Sequence, residues 1–100
     1  MHSLSYPQLF MNYQSSYGKE LEGIFLRIKS KKLLHEFLID LLSPAEYKDL
    51  AMRWQIMKML EKGISQRDIA RRLKVSVATI ARGSKELLNK KGGFAKMLRN

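Results

Sequence analysis

The chain has 100 residues, no cysteine, 45% hydrophobic and 28% charged residues, and a formal net charge of +10. That describes one small globular domain rather than a disordered chain, and it excludes a disulfide framework and a thiolate metal site. No apolar run approaches the roughly 20 residues of a membrane span. The N-terminus lacks the basic region and apolar core of a secretory signal, so the expectation is a soluble, cytoplasmic protein without a membrane partner.

Residues 1–18 carry Tyr6, Phe10, Tyr13 and Tyr17, with Pro7 and Gly18 as breakers. They read as a flexible N-terminal arm, with one turn of helix near residues 8–13. Its aromatics have two readings, docked on the body or a partner subunit, or carried on a loose tail. His2 reads as an exposed terminal residue. Residues 19–28 place Leu21, Ile24, Phe25 and Ile28 at helical spacing on one face, and Ser30 or Lys31 breaks the helix. The next predicted helix, residues 32–42, is apolar nearly all round: Leu33, Leu34, Phe37, Leu38, Ile39, Leu41 and Leu42. Such a helix must be covered on both sides. A chain this short has too little second-layer material, so a dimer whose first two helices interlock with their copies is the expected remedy. A closely packed monomer with a small core is the alternative.

Ser43-Pro44-Ala45-Glu46 is a capping box with proline at the first helical position. The third helix it starts runs to Lys62 through Leu50, Ala51, Trp54, Met57 and Leu60, and Gly63 stops it. Residues 66–85 then read as two short helices joined by a tight turn. Ser65 can cap the first and accept from the amide of Asp68, whose carboxylate suits the helix N-terminus. Ile69, Ala70 and Leu73 form a compact apolar face, with Ala70 at the closest approach of the two helices. Val75 should point inward, Ser76 should cap the second helix, and Ile80 should return its apolar face to the core. Each position has its own steric reason, and together they are the helix-turn-helix pattern, spanning residues 65–90 of a single helical domain at 19–100. A helical pattern to Lys90, a break at Gly92-Gly93 and a short turn over residues 94–98 complete the chain.

An ordinary helical hairpin would satisfy the same apolar positions, and charge decides against it. From residue 64 onward there are ten Lys or Arg against Asp68 and Glu86, whereas the preceding 63 residues hold nine cations and seven acids. A merely solvated surface mixes its signs, so a polyanion, and duplex DNA first, is the expected partner. The phosphate contacts are assigned to Arg71, Arg72, Lys90 and Lys91. Gln66, Arg67, Val77, Ala78, Ala81 and Lys85 are assigned to base edges, with Arg82 on the same helix.

From Leu33 to Leu88 the sequence resembles the bacterial tryptophan repressor family. The likeness is carried by Leu42-Ser43-Pro44-x-Glu46, Arg53, Gly63, Ser65-Gln66-Arg67 and, most specifically, Ala78-Thr79-Ile80-Ala81-Arg82-Gly83-Ser84. The resemblance implies an all-α, intertwined homodimer. Its two reading helices would lie about one DNA turn apart, roughly the 34–36 Å spacing of such repressors on their operators. It also implies L-tryptophan as co-repressor, with no covalent cofactor. Arg53 would pair with the ligand carboxylate through its planar fork, and Arg82 would stack on the indole. Thr79 and Gly83 would line the pocket, while Leu42 and Ser43 would come from the other subunit. Asp40 stands where the family has an apolar pocket residue, and Lys74 where the turn residue is often glycine. Glu86 stands where a small hydroxyl usually meets the ligand's amino group, a position from which a carboxylate can pair with an ammonium. Read without the resemblance, Arg53 is a helix cation within reach of Asp49 one turn back.

The leading function is therefore a sequence-specific transcriptional repressor acting on double-stranded operator DNA. The alternatives are a ligand-independent regulator of the same kind and a transposition-associated DNA-binding protein; from another class, a basic RNA-binding or membrane-surface protein. An enzyme is not expected. His2 and His35 are the only histidines, no glycine-rich phosphate loop is present, and no His/Asp/Glu set has metal spacing. His35, within the apolar second helix, reads as a core or interface histidine.

Overall fold

The computed structural model describes residues 15–99, except for the side chain of Glu86. Among them are six helices: α1 (Ser16–Arg27), α2 (Lys31–Leu41), α3 (Pro44–Glu61), α4 (Gln66–Leu73), α5 (Val77–Leu88) and α6 (Gly93–Arg99). No strand occurs among the described residues, so the class is all-α as expected. The expectations for the arm through residue 14, with His2, Tyr6, Phe10 and Tyr13, lie outside the described residues. The chain divides into two compact units between Leu41 and Leu42.

The first unit is a helical hairpin. Its first helix begins three residues earlier than the periodicity suggests, because Ser15 Oγ accepts from the Gly18 amide at 3.1 Å and so caps the helix. Gly18 thereby joins the first turn instead of breaking it. At the other end the Ile28 amide donates to the Phe25 carbonyl at 3.2 Å. Ser30 caps α2 in turn, accepting from the Leu33 amide at 3.0 Å. Phe25 meets Phe37 edge-on, with ring centroids 5.4 Å apart and an interplanar angle of 79°. Ile24, Arg27, Ile28, Leu33 and Phe37 line a cleft of about 220 Å³. Neither helix buries a residue fully. Leu33, Ile39 and Leu41 stand exposed on α2, and His35 is exposed in the single chain.

The second unit holds the core. Its capping box is formed as the sequence implies: the Ser43 amide donates to Glu46 Oε1 at 2.8 Å, and the Glu46 amide donates to Ser43 Oγ at 3.2 Å. The Ser43 backbone N–H foremost, and then its hydroxyl, hold the Glu46 carboxyl below its ordinary value. Residues 44–51, the first half of α3, are exposed throughout. Leu50 and Ala51 lie in this exposed half; the core begins further along, where Ile56 and Met57 are buried. The helix stops in a Schellman arrangement. Gly63, at φ +82°, donates to the Leu60 carbonyl at 3.0 Å, and the Ile64 amide reaches back to Met59 at 3.1 Å. Ile56, Ile69 and Ile80 form the centre of the core, one from each of α3, α4 and α5. Met59, Leu60, Ile64, Ala70, Leu73 and Val75 pack around them.

The last helix is longer than the short turn expected over residues 94–98. Ala95 is buried, and Phe94 stacks with Trp54 of α3 at 6.3 Å between centroids and 21° between planes. A helix of only seven residues gains its order from that packing rather than from propensity.

Candidate nucleic-acid interface

The cationic half of the chain is built on α4, α5 and the turn between them. Ser65 Oγ accepts from the Asp68 amide at 3.1 Å, the cap read from the sequence. Asp68 also pairs with Arg71 one turn on, at a solvated site where such a pair adds little stability. At the far end of α4, Lys74 takes a left-handed conformation, φ 58° and ψ 43°. This is the position where glycine is the easy residue, because a Cβ crowds the carbonyl there. The Lys74 amide donates to the Ala70 carbonyl, and the Val75 amide donates to the same oxygen at 3.1 Å. Both bonds satisfy the end of α4 and turn Val75 into the core.

Ser76 then starts α5. Its Oγ accepts from the Thr79 amide at 3.1 Å and lies 2.9 Å from the Thr79 hydroxyl. Ile80 is wholly buried beneath, so the opposite side of α5 must face water. That side carries Ala78, Arg82 and Lys85, all exposed, and Val77 is exposed at the start of the helix; Ala81 is half-buried. Half of the Val77 surface is open to solvent. Gln66, Arg67, Arg71 and Arg72 are exposed on α4, as are Lys90 and Lys91 beyond α5. The last two lie in a turn, since α5 ends at Leu88 rather than continuing to Lys90.

The residues implied as a ligand pocket are placed less uniformly. Arg53 is exposed, and among the described residues it forms no ion pair with Asp49. It stands one turn before Ile56 and Met57, on the side of α3 that meets Gly83 of α5. A Cβ at Gly83 would lie 3.1 Å from Ile56 Cγ2 and 3.4 Å from Met57 Sδ. This glycine lets α5 approach α3 closely, a packing need that the local motif does not display. Thr79 is half-buried with its hydroxyl against Ser76, Arg82 is exposed, and Ser43 is engaged in the capping box. Leu42 is half-buried, and Asp40 lies exposed on α2. Glu86 is on α5, and its side chain is outside the described residues.

Residues 19–100 match the family described as Trp repressor protein. The chain belongs to the Trp repressor family. A Trp operon repressor homolog from Chlamydia trachomatis is 40% identical over 79 residues, covering 74% of this chain and 84% of the relative. One from Vibrio campbellii is 47% identical over 58 residues, 56% of this chain and 58% of the relative. One from Chlamydia caviae is 32% identical over 88 residues, 87% of this chain and 86% of the relative. No solved structure matches the chain. The Trp repressor family is a family of regulators, and among the described residues no helix is long and apolar enough to cross a membrane.

Proposed function

We propose that the protein is a sequence-specific repressor that binds operator DNA as a homodimer, with L-tryptophan as its co-repressor. The observation that carries the DNA reading is the outer side of α5, where Val77, Ala78, Arg82 and Lys85 stand exposed above a wholly buried Ile80. An apolar methyl surface beside cations suits the major groove, where thymine methyls lie next to hydrogen-bonding base edges and phosphates. Arg67, Gln66 and Ala81 join these at the bases, while Arg71, Arg72, Lys90 and Lys91 take phosphates. The dimer is supported by a hairpin that buries no residue of its own.

Arg53 supports the ligand reading. It is a cation with no acidic partner among the described residues, placed toward α5 near Gly83. An amino-acid carboxylate would meet its fork, with Arg82, Thr79, Gly83 and Glu86 around the side chain and amino group, and Leu42 and Ser43 arriving from the second subunit. Ligand bound there would bias the angle of α5, and coupling of roughly 1–3 kcal/mol is typical of such linkage.

The test is duplex selection from a random pool, followed by anisotropy titration with and without tryptophan. Binding should survive excess non-specific competitor and tighten with tryptophan, and Arg53→Ala should abolish the tightening while leaving ligand-free affinity nearly intact. Equal affinity with and without tryptophan would make the protein a ligand-independent or transposition-associated DNA binder.

A further inference from the structure

The turn between α5 and α6 is held from three directions. Asn89 Oδ1 accepts from the Lys91 amide at 3.3 Å, and the Asn89 carbonyl accepts from the Gly92 amide at 2.9 Å. Gly92 lies so close to Asn89 that a Cβ there would come within 3.2 Å of its carbonyl oxygen. From the last turn of α6, the Arg99 guanidinium donates to the Lys90 carbonyl at 3.1 Å. Lys90 and Lys91 are both exposed. Residues 87–100 contain Lys90, Lys91, Lys96 and Arg99 and no acidic residue. Drawing Arg99 onto the backbone between two lysines concentrates like charge, which is unfavourable alone and favourable against a polyanion.

We propose that Arg99 is a positioning residue, holding the Lys90–Lys91 turn in the shape that grips a phosphodiester beside the far end of α5. The proposal rests on the DNA reading above. The 12 residues of α5 span about 18 Å, longer than the roughly 12 Å width of the major groove. A helix that enters the groove by its Val77 end therefore brings its other end out at the sugar-phosphate backbone. The turn stands there, and its two ammonium groups are useful only if the turn keeps one conformation. Asn89 and Gly92 give that conformation, and Arg99 ties it to α6, which Ala95 and Phe94 anchor on the body.

The experiment uses the full chain as Arg99→Met, as the double variant Lys90→Met/Lys91→Met, and as the triple variant. Amide ¹⁵N order parameters at Lys91 and Gly92 should fall in Arg99→Met while those of α5 hold; unchanged values would overturn the proposal. In DNA titrations, Arg99→Met should lower the salt slope of the dimer by roughly three to four, two contacts per subunit at close to 0.9 each, as the double variant does. Between about 50 and 200 mM salt its affinity should fall roughly a hundredfold less than that of the unmodified protein. The triple variant should add nothing further. A fall of about two, with a further loss in the triple variant, would make Arg99 itself a phosphate contact and overturn its positioning role. If the unmodified protein binds no duplex, the DNA reading fails together with the phosphate part of this proposal. The order parameters still decide whether Arg99 holds the turn.

Discussion

The hairpin of α1 and α2 and the unit from Leu42 onward are similarly rich in large apolar residues, yet they use them in opposite ways. The second unit seals Ile56, Met57, Ile69, Ile80 and Ala95 from water. The hairpin seals none and leaves Leu26, Leu33, Ile39 and Leu41 exposed. Helix formation and helix packing are thus separable. Both regions have capped helices, but only the second has enough crossing elements in one chain to close a core. In the hairpin, a two-faced helix such as α2 gains its burial from a second chain, on the dimer reading.

Truncation at the two sites is the sharpest way to test that contrast. Ile80→Ala should destabilise the protein by about 2–5 kcal/mol at any protein concentration, since the site is wholly buried within one chain. Ile39→Ala should cost under about 1 kcal/mol in a monomer, because its residue is half exposed. On the dimer reading it should instead cost as much as a core truncation, with a midpoint that shifts with protein concentration. Urea unfolding at several concentrations separates these outcomes, and no concentration dependence would refute the intertwined dimer.

Gly83→Ala tests how tightly the second unit is packed. The added methyl meets Ile56 and Met57, which lie on a buried face and have little room to yield. The expected loss is about 1–3 kcal/mol by thermal unfolding, and no loss would show that α5 can move away from α3.

A smaller effect is expected at the start of α3. Ser43→Ala should destabilise by about 1 kcal/mol and let the Glu46 carboxyl rise only part of the way toward its ordinary value, since alanine keeps the backbone N–H that is the leading cause, as a carboxyl-carbon NMR titration would read. The sign of the pH effect follows. Because folding lowers the Glu46 pKa from 4.5, its contribution is fully present above that value and is lost as pH falls through the folded one. Ser43→Ala should flatten that acid limb. A Glu46 titration that returned fully to its ordinary value would count against the backbone N–H as the leading cause.

The least effect, and the one of opposite sign, belongs to Lys74. Replacing it with glycine removes a left-handed side-chain clash worth about 1–2 kcal/mol, offset in part by the greater freedom of glycine in the unfolded chain. Lys74→Gly should therefore raise the melting temperature slightly. A lowered one would indicate that the lysine stem contributes contacts exceeding its strain.

The local devices were legible in the sequence because each is complete within four or five residues. Ser65 before Asp68, Ser76 before Thr79, Ser43 with Glu46, and Gly63 after the third helix all took the roles their types dictate. What was not legible depends on which face of a helix meets which neighbour. α3 carries apolar residues at 56, 57, 59 and 60, so its pattern does not single out Ile56 over Leu50. The choice falls to α4 and α5, which cover only its second half. Gly83 read as part of a binding motif because its contact with α3 is invisible along the chain. Arg99 carried no local signal at all, since its partner lies nine residues away across a turn.

The elbow between α3 and α4 has a mechanical consequence. The amides of Lys62, Gly63 and Ile64 are all tied back into the end of α3, and Ser65 immediately fastens the start of α4. No slack remains between the two helices. On the DNA reading, torque applied to α4 by a duplex would be carried through this joint into α3. The pair would then act as a bent lever with α3 as the handle.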